Sequence, residues 1–130
     1  MTFLLDTDTC IHVLRHDVRV TGRLMAVSPD DVAVASMTEA ELWYGAKRSR
    51  DPAEARRSVM KFLAPLARLP FDSDAAEQHA ELRFALRASP NGDRDLIIAS
   101  IAAARGLAVV THNTREFSRV PGLGVEDWTA

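Results

Sequence analysis

A chain of 130 residues, 47% of them apolar, can bury roughly two thirds of its unfolded surface in one core, so residues 1–130 read as a single domain needing no staple. Its 16 Lys plus Arg stand against 18 Asp plus Glu, a formal net charge of -2, which excludes a global positive field for a polyanion and leaves nucleic-acid contact to local patches. The lone Cys10 excludes an internal disulfide and reads as a small buried apolar residue. No stretch reaches the roughly 18 apolar residues of a membrane span, and no charged region followed by a long apolar run opens the chain, so a soluble, cytoplasmic protein is expected.

Phe3-Leu4-Leu5 is apolar without alternation, as in a parallel strand covered on both faces, and it ends abruptly in Asp6-Thr7-Asp8-Thr9. Ile11, Leu14 and Val18, then Leu24 and Val27, recur at near-helical spacing and predict two short helices, the first starting near Thr9 with Asp6 or Asp8 as its cap. Val32 to Ser36 is a β-branched run bounded by acids and polar residues, a second buried strand. Thr38 with Glu41 three residues on has the form of a capping box, and the helix that follows carries Leu42, Trp43 and Ala46 on one side.

Asp51-Pro52 restarts a helix with Val59, Phe62, Leu63 and Leu66 as its apolar stripe, which Pro65 should end. Leu69-Pro70-Phe71 fits a short edge strand, because proline cannot donate inside a sheet. Asp72 to Asp74 open a helix running to about Ala88, and Ser89-Pro90-Asn91-Gly92 is the clearest loop of the chain. Leu96 to Ala104 is apolar nearly all round, so that helix should be central and buried, stopping at Gly106. Leu107 to Val110 is another buried strand ending in Thr111-His112-Asn113, and the tail from Val120 to Val125 allows one more edge strand before Trp128. Strands alternating with helices indicate an α/β fold: a mostly parallel sheet of four or five strands with helices on both faces.

The carboxyl ends of parallel strands share one edge, and the polar residues that follow them converge there. Asp6 follows the first strand, Glu41 stands one turn into the helix after the second, Asp95 heads the buried helix, and Asn113 follows the last long strand. Each acid has an ordinary structural role open to it: Asp6 or Asp8 as a helix cap, Glu41 in the capping box, Asp95 as a helix N-terminal acid. Three carboxylates brought together, however, repel one another unless a cation sits among them. Oxygen ligands without clustered His or Cys favour Mg²⁺ or Mn²⁺ over Zn²⁺, and such an ion both acidifies water and neutralises charge growing on a phosphate.

The segments Leu5-Asp6-Thr7-Asp8, Thr38 to Gly45, Gly92 to Ala99 and Val110 to Phe117 together resemble the four successive motifs of PIN-domain nucleases, and among these the VapC-type toxins of type II toxin–antitoxin pairs. The match runs from about residue 3 to Trp128. The resemblance implies a PIN-like three-layer sandwich and a Mg²⁺- or Mn²⁺-dependent endoribonuclease that inhibits translation. It also implies a homodimer, neutralised in a hetero-oligomer by a cognate VapB-like antitoxin, with DNA touched only through that antitoxin. Asp6, Glu41 and Asp95 fall on the family's metal-binding acids, and Asn113 on a fourth catalytic position that is often Asp. Asp8, Asp93 and Thr111 fall where polar residues support the ligands or position substrate. The basic stretch Lys47, Arg48, Arg50, Arg56, Arg57 and Lys61 is either a solvated face or an RNA contact, and Trp43, Tyr44, Phe62 and Leu66 are either core or dimer packing or part of an antitoxin groove.

Two other readings stay open at this level. Phe3 to Thr9 also fits the DxDxT opening of haloacid-dehalogenase-type phosphatases, with Asp6 as nucleophile and Asp8 as general acid, and Gly92-Asp93 imitates their later acidic motif. Asn113 in place of an acid is compatible with a catalytically weak module whose role is complex formation.

Overall fold

The computed structural model describes all residues from Met1 to Ala130. Five parallel strands, β1 (Phe3–Leu5), β2 (Val32–Ala35), β3 (Ala67–Leu69), β4 (Ala108–Val110) and β5 (Val125–Glu126), lie in the order β3-β2-β1-β4-β5. Seven helices join them: α1 (Thr7–Leu14), α2 (Val18–Met25), α3 (Ser36–Lys47), α4 (Pro52–Leu63), α5 (Ser73–Ala85), α6 (Asp93–Arg105) and α7 (Thr114–Phe117). The chain steps outward from β1 through β2 to β3, then returns across the sheet to β4 and β5. Strand order therefore reverses at β1 and β4, and a crevice opens at their carboxyl ends, the place where open α/β sheets bind ligands.

Alternation along the strands makes the three layers. Leu4, Ala33, Ala35 and Val109 point into one core, shared with Ala75 and Leu82 of α5, Leu96, Ile98, Ala99 and Ile101 of α6, and Phe117 of α7. Leu5, Val32, Val34 and Val110 point into the other, with Cys10, Val20, Leu42, Ala46, Val59 and Leu63 from α1 to α4. Trp128 closes this second core, its ring edge-on to Phe3 at 5.4 Å. Because both faces are covered, the strands carry no polar alternation, which is why they read as continuous apolar runs.

Several boundaries differ from the sequence expectation, each for a local reason. The first helix begins at Thr7, since its cap is Asp6, whose carboxylate accepts the Thr9 N–H at 2.8 Å; Asp8 already lies inside the helix. The Thr38–Glu41 capping box does not form. The helix starts at Ser36 without a side-chain cap, Thr38 is fully buried and accepts a hydrogen bond from the Thr7 hydroxyl at 3.1 Å, and Glu41 turns to another partner. The edge strand lies two residues earlier than Leu69-Pro70-Phe71, so that Pro70 follows the ladder rather than interrupting it. Helix α5 stops at Ala85, and α7 is a single turn that no apolar periodicity announces.

Asp51 and Asp72 cap α4 and α5 as their positions suggest, accepting from Glu54 and Ala75 N–H groups at 3.2 and 3.0 Å. Gly106 ends α6 with a left-handed φ of 68°, a conformation costly for any residue with a Cβ. Gly45 sits within α3, and a Cβ added at either position meets nothing within 4 Å. Backbone conformation alone therefore decides the sign of each substitution. Gly106→Ala is expected to lower unfolding free energy by about 1 kcal/mol and Gly45→Ala to raise it by about 0.5 kcal/mol, read as opposite shifts of the urea midpoint at constant slope.

Candidate active site

The carboxyl end of β1 delivers Asp6 into the reversal crevice. Its backbone N–H continues the ladder to the Val110 carbonyl at 3.0 Å, so the residue is fixed by the sheet itself. The residue is 3% exposed, and its side chain accepts from the Thr9 N–H and from Thr111. Burial pushes the carboxyl above its ordinary range; those hydrogen bonds oppose the rise, and the Asp8 charge adds to it. A carboxylate that the fold desolvates without a cationic partner is a site prepared for one.

Asp6, Asp8, Glu41 and Asp95 line a single cavity of about 270 Å³ together with Thr7, Ile11 and Arg94. Four acids from three separate elements, α1 with its cap, α3 and α6, thus face one small space. Asp95 stands in the first turn of α6, and its carboxyl is pushed up to about 6 by burial, by the Glu116 carboxylate beside it and by Asp6. Glu41 is half-buried, and its Oε1 lies 2.7 Å from Nε of Arg94. No three His, Cys, Asp or Glu side chains converge on one ion-sized point in this arrangement, in keeping with Glu41 being held by a guanidinium.

The remaining sequence candidates separate. Thr111 is fully buried, bonds Asp6 and accepts the Asn113 N–H at 2.8 Å, so it orients both residues. Asn113 does not line the acid cavity but reaches it through Asp95: its amide Nδ2 donates to Asp95 Oδ2 at 3.3 Å and to Glu116 Oε2 at 2.6 Å. The nitrogen of this amide, not its oxygen, faces the carboxylates. Asp93 is exposed and outside the cavity. Asp8 lines the cavity but is exposed, and Gly92-Asp93 opens a helix instead of ending a strand, so the later half of the phosphatase pattern is not built.

Glu116 is the residue that motif reading quoted without a role. Gly92, the cap of α6, has no side chain to satisfy the first helical N–H groups, and the Glu116 carboxylate from α7 accepts the Gly92 N–H at 2.9 Å instead. That hydrogen bond, first, and those from Asn113 and Asp95 hold Glu116 below the usual glutamate range while Asp95 rises. The sequence signal was available: a glycine cap lacking an acceptor, and an acid three residues after Asn113. Arg119 secures the same corner, its guanidinium bonding Ser89 and the buried Asn91.

Beside the acid cavity, and sharing Thr7, Ile11 and Glu41 with it, runs a groove of about 470 Å³ between α1, α3 and α4. Leu14, Leu42, Ala46 and Val59 make its floor, with Arg15 and Arg48 among its lining. Of the residues open to either role, Leu66 is core and Trp43 is covered by the Arg56 guanidinium at 4.7 Å, and neither lines this groove. Arg57 is paired with Glu54 at 2.6 Å, so part of the basic stretch is a self-paired surface. Cys10 is buried, and burial followed by the nearby Asp6 charge raises its thiol well above the ordinary value, which makes it inert.

A raised acid weakens the fold once ionised. Relative to the unfolded chain, Asp95 adds nothing unfavourable below its ordinary value near 3.8, and its cost grows as pH rises towards about 6. In EDTA, Asp95→Asn is expected to match the native protein in urea midpoint at pH 3.5 and to exceed it at pH 7, by about 1 kcal/mol after allowance for solvent screening.

The PIN domain family model matches residues 3–123. A tRNA(fMet)-specific endonuclease VapC of Salmonella typhimurium is 36% identical over 98% of each chain, and a ribonuclease VapC2 of Rickettsia felis is 31% identical over the same shares. Among solved structures, a DNA-bound VapBC from Salmonella typhimurium superposes with a TM-score of 0.92 at 37% identity, covering 98% of both chains. VapBC2 of Rickettsia felis, bound to a promoter DNA fragment, gives 0.91 at 30% identity over 98% of this chain and 99% of that one. With the sheet order, the crevice at β1 and β4 and the facing acids, these likenesses place the chain in the PIN domain family, among the VapC ribonucleases.

Proposed function

We propose that this chain is the toxin of a VapBC-type pair, a divalent-metal-dependent endoribonuclease acting in the cytoplasm on RNA. The observation that carries the reading is the convergence of Asp6, Glu41 and Asp95 from three elements on one cavity at the strand-order reversal. The donor set suits Mg²⁺ or Mn²⁺: oxygen ligands only, with Asp6 desolvated beside further acids and without an ion pair of its own. Asp6, Glu41 and Asp95 would hold the ion. Bound there, it supplies Lewis acidity, acidifying water and offsetting negative charge on the scissile phosphate.

The chain's own residues prepare that chemistry. Thr9 and Thr111 aim the Asp6 carboxylate, and the sheet fixes its backbone. Asn113 and Glu116 set the Asp95 carboxyl, which holds a proton below about pH 6 when no cation is present and would give it up at lower pH to a bound one. Asn113 brings no charge, so the site is read as holding one ion.

The Salmonella relative is named for tRNA(fMet), which is the first RNA to test, and the VapBC complexes make a VapB-like antitoxin the natural partner. The groove between α1, α3 and α4 leads from apolar floor to Glu41, a path for an antitoxin segment that covers the acids. A homodimer, with DNA contacted through the antitoxin, completes the proposed assembly, and residues 1–130 act in it as one domain.

Purified protein with Mn²⁺ or Mg²⁺ is expected to cleave tRNA(fMet) and to lose cleavage in EDTA. Asp6→Asn, Glu41→Gln and Asp95→Asn should each reduce the rate by a factor on the order of 100 or more, whereas Asp8→Asn should cost less than about tenfold. Cleavage undiminished in EDTA, or equal dependence on Asp6 and Asp8, would sink the proposal.

A further inference from the structure

Arg94 is the one cation among the residues lining the acid cavity, which it shares with Asp6, Asp8, Glu41 and Asp95. It follows Asp93 in the first turn of α6, directly before Asp95, so the helix that presents an acid to the cavity also contributes a guanidinium to its lining. Its Nε lies 2.7 Å from Glu41 Oε1. The two partners are unequal: the Arg94 side chain is 73% exposed and that of Glu41 only 21%. Arg94 therefore leaves Glu41 at little cost in buried contacts, while Glu41 stays where α3 puts it.

A guanidinium keeps its charge at any working pH, so it gives up Glu41 only by moving. A divalent cation that takes Glu41 as a ligand must displace it. Once displaced, Arg94 remains tethered beside Asp95, at the edge of the cavity where the reacting phosphate of an RNA chain has to enter. Its planar fork of donors is the side chain best matched to the paired oxygens of a phosphodiester.

We propose that Arg94 is a substrate-positioning residue that exchanges anions, holding Glu41 while the cavity lacks a divalent cation and an RNA phosphate once the cation has claimed Glu41. This rests on the metal-dependent nuclease reading and deepens it. In the cation-free protein the pair keeps Glu41 partnered and the cavity partly neutralised. In the loaded protein the same positive charge serves the substrate.

Calorimetric titration of Mn²⁺ into RNA-free protein, paired with steady-state cleavage of tRNA(fMet), tests the exchange in the native chain, Arg94→Ala and Arg94→Lys. Arg94→Ala is expected to bind Mn²⁺ roughly two- to five-fold more tightly, the range set by loss of one exposed ion pair. Its KM should rise about tenfold, with kcat changed less than about threefold. Arg94→Lys, still a cation but without the fork, should bind Mn²⁺ like the native protein and show an intermediate KM. Unchanged Mn²⁺ affinity in Arg94→Ala, or a loss confined to kcat, overturns the exchange even if the native protein binds Mn²⁺ and cleaves. A native protein that binds no Mn²⁺ and cleaves equally in EDTA overturns the metal reading itself, and the exchange falls with it.

Discussion

Burying the Asp6 carboxylate at the end of a central strand is the constraint to which the rest of the site answers. A carboxylate taken from water into an apolar sheet is costly unless hydrogen bonds or a cation compensate. Here the compensation is local and partial. Thr9 offers a backbone N–H and Thr111 a side chain, both placed by elements that begin or end at the same edge of the sheet. Asp6 is at once the cap of α1 and the acid of the cavity, two roles that sequence reading treats as rivals. They coexist because a capping carboxylate has a second oxygen, and Asp6 lines the cavity while Oδ1 accepts from Thr9.

The topology explains why the companions of Asp6 come from where they do. Reversal of strand order at β1 and β4 separates α1 and α3, which leave on one side, from α6 and α7, which serve the other. Glu41 reaches the crevice from the first side and Asp95 from the second, so the cavity is spanned rather than lined by one helix. The Asp95 side is then held rigid by a network that includes no covalent tie: Glu116 caps α6 at Gly92, Asn113 bridges Glu116 and Asp95, and Arg119 fastens the preceding loop. Each member satisfies a polar group that the next one leaves open.

Much of this was legible in the chain. Apolar runs such as Val32 to Ala35 and Leu107 to Val110 announce two-sided strands, and the acids that follow them mark the ligand edge without any coordinates. What escaped was what depends on contacts between distant segments. Thr38 with Glu41 has the spacing of a capping box, but Thr7 lies close enough to donate to Thr38 and Arg94 close enough to take Glu41, 53 positions away in the chain by subtraction of their numbers. Local spacing cannot weigh a partner it does not contain. Helix α7 was invisible for a related reason: four residues are too few for periodicity, and the turn is held by what its Glu116 does for another helix.

The amide at residue 113 shows how charge sets the limit on such a site. Asp95 and Glu116 already stand side by side, the first raised and the second lowered, so a third carboxylate at residue 113 would face two others with nothing to donate. Asparagine presents two N–H groups to that pair and uses both, at 3.3 and 2.6 Å. It thereby orients Asp95 at no cost in repulsion, which an acid could do only with a further cation beside it. The substitution that looks, in the sequence, like decay of an acidic motif is in the structure the group that lets the two neighbouring acids stand together.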